Sequence, residues 1–246
     1  MPAVRRTDQP GDEHAHSFRP HHKVNIRTVL EVTGFVVLPA VLSQAQCLDI
    51  ARRLEQQAGG AGDRNLLEED WCSQLAVALR DTIDLGAALT GSVAVQCTYF
   101  EKSEHSNWLV PLHQDLSIPV QERVDAIGLT GWSTKQGTVF VQPPASVVEN
   151  LTAVRVHLDD STKDNGPLRV VPGSHRAGRL RVEEQRRFRD LHGEMLCTTP
   201  RGSVIAMKPL LLHASSKATS TRPRRVLHYL YGPRELPYGL AWARAV

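Results

Sequence analysis

From Ser92 to Tyr231 the chain is a series of short β-rich runs separated by turn signals, and this pattern narrows its fold more than any other feature. Val93, Val95 and Cys97 alternate with smaller or polar residues. Further runs are Leu116-Ser117-Ile118, Thr138 to Val141, Ala153 to Leu158, Leu168 to Val171, Ser203 to Met207 and Val226 to Tyr231. Asn165-Gly166-Pro167 and Pro172-Gly173-Ser174 punctuate them with residues suited to turn dihedrals. Many short strands in succession bury their apolar faces by closing into a barrel or pairing as a sandwich.

The residues before Ser92 have a different period. Gly34 to Pro39 reads as a short strand. Ser43 with Gln46 three residues later is a capping box, and apolar residues at 47, 48, 50, 51, 54 and 58 place one face on a helix over 43–58. Gly59-Gly60-Ala61-Gly62 stops it. A second helix is expected over 70–89, carrying Trp71, Leu75, Ala78, Leu79 and Ile83, and a third over 183–192. The fold class is therefore mainly β with flanking helices. A chain of 246 residues, 41% hydrophobic and 22% charged, is long enough for one all-β domain, which is expected over 24–246. Residues 1–23 are polar, with Pro, Gly, Asp and four histidines (His14, His16, His21, His22), and are expected to form a disordered tail.

Composition removes several classes of function. The net charge of +3 is scattered through Arg5-Arg6, Arg186-Arg187 and Arg224-Arg225. No basic stripe is interleaved with aromatics, so a nucleic-acid partner is not expected. The sequence has no run of eighteen apolar residues to span a membrane, and no apolar core after the N-terminal arginines to make a secretory signal. Cys47, Cys72, Cys97 and Cys197 form no CxxC pair, which argues against a zinc ribbon or a thioredoxin motif and suits a reducing, cytoplasmic setting.

The chemistry centres on His113 and Asp115, with His213 one hundred residues on. On a strand, residues i and i+2 share a face, so His113 and Asp115 can both point inward while Gln114 points away. His213 follows Leu210-Leu211-Leu212, as expected for a barrel-mouth position. Two imidazoles and one carboxylate suit non-haem Fe(II) with open coordination positions.

These residues sit in strings that resemble the phytanoyl-CoA dioxygenase family of Fe(II)/2-oxoglutarate enzymes. The strings are Trp108 to Ser117, Val154 to Asp160, Asn165-Gly166-Pro167-Leu168 through Pro172-Gly173-Ser174-His175, His213 to Ser216, and Arg222 to His228. They follow the family order over roughly residues 30 to 232. The resemblance implies a double-stranded β-helix (jelly-roll, cupin-like) core, with Fe(II) held by His113, Asp115 and His213. It also implies 2-oxoglutarate as cosubstrate, O2 as oxidant and a small-molecule substrate. Arg224, eleven residues after His213, falls where the family grips the far carboxylate of 2-oxoglutarate. A guanidinium fork matches that group. Arg222, before a proline, and Arg225, on the opposite strand face, are its rivals. Ser215 shares the face of His213 and can offer a hydroxyl to the same carboxylate. Gln96 matches a cosubstrate-contacting position in some relatives.

The implied reaction is hydroxylation of an unactivated C–H coupled to decarboxylation of 2-oxoglutarate to succinate and CO2. Related halogenases lack the carboxylate that Asp115 supplies here. A Zn(II) hydrolase would use the same triad but leave Arg224 and Ser215 unexplained, and a non-catalytic cupin-like binding module would not need all three ligands. His157, His175 and His228 read as structural or hydrogen-bonding histidines rather than ligands. Trp108 and Trp132 fit either a pocket wall or the core, Lys102 either the site or the surface, and Arg155 and Arg169 either an anionic substrate or surface ion pairs.

Overall fold

A computed structural model describes residues 25–56, 60–85 and 88–246; the expected tail and its four histidines lie outside them. Helix α1 (Ile26–Thr33) opens on Asn25, whose side chain accepts from the Arg27 amide, and closes on Gly34 in the left-handed conformation. Both are cap residues the sequence displays, although the helix was not among the expected elements. Strand β1 (Phe35–Leu38) follows. Helix α2 (Gln44–Glu55) carries the expected Ser43–Gln46 capping box; the expected end at Ala58 lies outside the described residues. Helix α3 (Asp70–Thr82) stops short of Leu89, with Ile83 already extended. The β-branched pair Thr82-Ile83, followed by Asp84 and Gly86, weakens helix propagation there.

The β section runs β2 (Val93–Lys102), β3 (Val110–His113), β4 (Ile118–Val120), β5 (Thr130–Lys135), β6 (Thr138–Gln142), helix α4 (Ala145–Val148), β7 (Thr152–His157) and β8 (Leu168–Val170). It then continues through helix α5 (Val182–His192), β9 (Met195–Cys197), β10 (Val204–Met207), β11 (His213–Ser215) and β12 (Arg224–Gly232). Leu116 and Ser117, expected in a strand, belong to a loop, and the strand begins at Ile118. Strands β5 and β9 and helix α4 were not expected. The β5–β6 hairpin turns on Gln136 and Gly137, both at positive φ. A two-residue turn of that kind favours Asn-Gly, so Gln-Gly gave a weak signal.

Every strand pair is antiparallel. One sheet has the order β1-β10-β7-β12-β2, a second β3-β11-β8-β9, and a third β4-β6-β5. Alternation along the strands divides their side chains between two cores. Phe35, Ala153, Ile205 and Met207 of the five-stranded sheet pack with Leu168, Val170 and Cys197 of the four-stranded one, which closes the two into the double-stranded β-helix. The opposite face of the larger sheet, with Val154, Val156, Leu227, Tyr229 and Tyr231, is covered by α1, α2 and α3. Burying each large apolar side chain there stabilises the fold by about 1.5–3 kcal/mol. The two tyrosines also satisfy their hydroxyls on α3, Tyr231 by donating to Ala76 O at 2.8 Å and Tyr229 through Cys72 Sγ at 3.1 Å. The five-stranded sheet is thereby braced from outside, leaving its inner face at one end of the barrel to carry polar groups. No helix among the described residues is long and apolar enough to cross a membrane.

Candidate active site

His113 ends β3 and His213 begins β11, and the two strands pair with these residues directly opposite. Their rings lie 4.1 Å apart between centroids. Asp115 does not share the strand as expected: β3 ends at His113, and Asp115 sits in the loop beyond, its amide donating to Pro209 O at 2.9 Å. That bond brings the carboxylate back to the imidazoles. Asp115 Oδ1 is 3.3 Å from His113 Nε2, and Oδ2 is 3.6 Å from His213 Nε2. The ligand atoms of all three residues lie within 4.8 Å of one another. Gln114 points away, as expected, and fixes the loop. Its amide donates to Gly178 O and Leu210 O, each at 2.7 Å, and accepts from the Leu180 amide at 2.8 Å.

The donor set suits a metal for a reason beyond residue type. His113 Nδ1 lies 2.8 Å from Pro111 O, and His213 Nδ1 lies 2.9 Å from Leu211 O. A carbonyl only accepts, so each Nδ1 carries a proton, and each Nε2 is the ring atom that faces Asp115 and can bind a metal once it is deprotonated. Electrostatics agree. Burial pulls His213 down to about 4, only partly offset by Asp115. Burial also pulls on His113, but its hydrogen bond and charge contact with Asp115 outweigh that and raise it. Burial would raise Asp115, yet the charges of His213, His113 and His228 hold it far below the usual carboxylate range. The three residues therefore form a pre-gathered anionic and neutral donor cluster that fits Fe(II).

A cavity of about 430 Å³ opens over this cluster. Gln96, His113, Asp115, His213, Ser215 and Arg224 all line it. Arg224 is 3% exposed, and its only side-chain hydrogen bond among the described residues is from Nε to Asn165 O at 3.2 Å. Its rivals are engaged elsewhere: Arg225 pairs with Asp159 at 2.9 Å and Glu55 at 2.8 Å, and Arg222 with Asp164 at 3.4 Å. Ser215 Oγ donates to Gly166 O at 2.8 Å and accepts from Lys102 Nζ at 2.7 Å. Lys102 also donates to Ser216 O. It lies opposite Arg224 in the β2–β12 register and is buried, which resolves its open assignment in favour of the site. Burial, then Arg224, pushes its ammonium down to about 8. Gly166, at φ +70°, makes this close approach possible: a Cβ there would lie 2.5 Å from Ser216 O and 3.0 Å from Lys102 Nζ. Gln96 Nε2 donates to Thr98 Oγ1 at 3.0 Å on the cavity wall.

The remaining open assignments also separate. Trp108 lines the cavity, whereas Trp132 packs against the β4-β6-β5 core. Arg169 pairs with Glu194 at 2.9 Å outside the cavity, whereas Arg155 is buried within it. Arg155 Nη1 donates to His228 Nδ1 at 2.8 Å. His228, read from sequence as structural or hydrogen-bonding, takes that bond and also lines the cavity, with Nε2 at 3.9 Å from Asp115 Oδ2. The signal that could have found His228 is strand alternation, since it lies four residues, an even number, after Arg224. His157 is fully buried and His175 bonds Glu31 O at 3.2 Å; neither lines the cavity.

The sequence profile of the Phytanoyl-CoA dioxygenase (PhyH) family matches residues 30–226. L-proline trans-4-hydroxylase from Streptomyces griseoviridis is 25% identical to this chain, the match covering 80% of this chain and 82% of the hydroxylase. Among solved structures, apo EctD from S. alaskensis superposes with a TM-score of 0.65 at 17% identity, covering 91% of this chain and 84% of its own. The non-heme alpha ketoglutarate dependent carbocyclase SnoK from nogalamycin biosynthesis gives 0.62 at 16% identity, covering 87% and 85%. EctD has also been solved with bound Fe and with 2-oxoglutarate and 5-hydroxyectoine.

Proposed function

The chain belongs to the phytanoyl-CoA dioxygenase family of Fe(II)/2-oxoglutarate-dependent oxygenases, and we propose that its reaction is hydroxylation of an unactivated C–H bond in a small molecule. His113, Asp115 and His213 would hold the iron through two Nε2 atoms and a carboxylate oxygen. Arg224, Ser215 and Lys102 would hold the distal carboxylate of 2-oxoglutarate, with Gln96 on the adjoining wall. The observation that carries this reading is the buried Arg224 guanidinium, which has no carboxylate partner among the described residues beside an intact two-histidine, one-carboxylate cluster. A hydrolase would use the cluster but has no use for that guanidinium.

Fe(II) with 2-oxoglutarate and O2 supplies the oxidising power to break a C–H bond. The chain's residues supply position and environment. The Pro111 and Leu211 carbonyls fix both imidazole tautomers, and Gln114 holds the loop that presents Asp115. Arg224 and Lys102 orient a dianionic cosubstrate along the barrel. Asp115 supports hydroxylation over halogenation, since its carboxylate fills the place a halide would take.

The similarity to an L-proline trans-4-hydroxylase supports the same outcome. We further propose one domain over 24–246, and a cytoplasmic setting on the support of four buried unpaired thiols. The test is 2-oxoglutarate-dependent succinate release by the Fe(II)-loaded chain, with one atom of labelled O2 recovered in an alcohol product. Hydrolytic turnover without 2-oxoglutarate would overturn it in favour of the Zn(II) reading.

A further inference from the structure

The charge lining the cavity is out of balance. Arg64, Lys102, Lys135, Arg155 and Arg224 face only two carboxylates, Asp115 and Glu101, and Glu101 already accepts the Tyr99 hydroxyl at 2.6 Å. The proposed cosubstrate answers Lys102 and Arg224 at one end. At the other, Arg64 and Lys135 remain, both half-buried.

Their juxtaposition is built by the backbone. The Arg64 amide donates to Gln136 Oε1 at 2.8 Å, Asn65 Nδ2 donates to Gln136 O at 3.1 Å, and Gln136 Nε2 donates to Gly62 O at 3.3 Å. These bonds stitch the segment before α3 to the β5–β6 turn and set Arg64 beside Lys135, the residue preceding Gln136. Among the described residues neither cation has a carboxylate within ion-pair distance. Arg64 Nη1 donates to Gly62 O at 3.2 Å, and Lys135 Nζ lies over the Phe140 ring at 4.8 Å. Burial, then Arg64, holds the Lys135 ammonium below its ordinary value, with Asp115 acting the other way. An anion between the two cations would relieve their repulsion. A planar carboxylate fits, one oxygen on the guanidinium fork and the other on the ammonium. The cavity must also hold 2-oxoglutarate, so the remaining space suits a small molecule.

We propose that Arg64 and Lys135 clamp a carboxylate of the primary substrate, so that the molecule oxidised is a small carboxylic acid. This rests on the oxygenase reading of the same cavity.

Two measurements on the full chain test it. The first needs neither metal nor turnover: the rate at which N-hydroxysuccinimidyl acetate acylates Lys135, read by mass spectrometry, in sodium acetate against sodium chloride at matched ionic strength. Acetate should slow Lys135 several-fold relative to chloride, acetamide should not, and Arg64→Gln should abolish the difference. Equal rates in acetate and chloride overturn the clamp. The second measures succinate release with Fe(II) and 2-oxoglutarate over small carboxylic acids, their amides and phosphate monoesters. Stimulation by an acid but not its amide, with KM for the acid raised tenfold or more by R64Q and K135Q, supports the proposal. Stimulation by an amide or a phosphate ester instead overturns the carboxylic-acid assignment; if no compound stimulates, the acylation result decides. Iron and 2-oxoglutarate binding, measured on the same preparations, tests the oxygenase reading separately.

Discussion

Replacing Arg224 by methionine should improve the fold and disable the site at once. In the metal-free chain the guanidinium is buried to 3% exposure, and burial, then Arg155, pushes it from its ordinary value down to about 9. A base whose folded value lies below its unfolded value opposes folding while it is charged. Each pKa unit is worth ~1.4 kcal/mol, so the cost is on the order of several kcal/mol. Methionine removes that cost and keeps most of the buried stem, but leaves Asn165 O without its donor, a loss of ~1–3 kcal/mol. A net gain of roughly 1–3 kcal/mol remains, which raises Tm by several degrees in a chain of this size. The same change deletes one partner of a buried charge pair with 2-oxoglutarate, a loss of ~2–5 kcal/mol, or roughly 30- to several-thousand-fold in affinity. Calorimetry of unfolding and of 2-oxoglutarate binding to the metal-loaded protein reads both numbers. A lower Tm with unchanged cosubstrate affinity would show Arg224 to be a structural charge and refute the reasoning.

Lys102, held at about 8 in the fold against an ordinary 10.5, binds its proton less tightly folded than unfolded, so its charged form opposes folding below about 8 and stability should rise between about 8 and 10.5. Over the same range 2-oxoglutarate affinity should fall as the ammonium is lost; a Lys102→Met protein that keeps that pH dependence would contradict the assignment. Gly166→Ala forces a left-handed alanine, costing about 1–2 kcal/mol, and drives a Cβ against Ser216 O, so cosubstrate affinity should drop while iron is retained; an unchanged Kd for 2-oxoglutarate would show that the close packing is unimportant. The contact of His113 with Asp115 outweighs burial and raises the imidazole above its ordinary value, so iron affinity should weaken as falling pH protonates it. Asp115→Asn should move the His113 titration, followed by NMR, downward; no movement would mean that the contact does not set it.

Much of this site was legible because its chemistry follows strand periodicity and local spacing. His213 was placed by residue type, Ser215 by sharing its face, and Arg224 by its position in the family resemblance, and each lines the cavity. The capping box of α2 was legible for the same reason, a local rule with a local cause. What escaped the sequence depends on long-range pairing. Asp115 reaches the imidazoles from a loop because its amide is bound by Pro209, nearly a hundred residues away. Lys102 and Arg155 could be assigned only once the β2–β12–β7 register put them beside Arg224 and His228. The Arg64–Lys135 pair depends on three hydrogen bonds between a loop and a hairpin turn, which no period in either segment announces.

The central claim is that His113, Asp115 and His213 hold an iron that 2-oxoglutarate chelates. Anaerobic titration of the Fe(II)-loaded chain with 2-oxoglutarate reads this directly through the metal-to-ligand charge-transfer absorption of the chelate. The account predicts a saturable band at one equivalent of iron per chain, lost in His213→Ala. Absence of the band in the wild-type protein, or its persistence unchanged in His213→Ala, would contradict it.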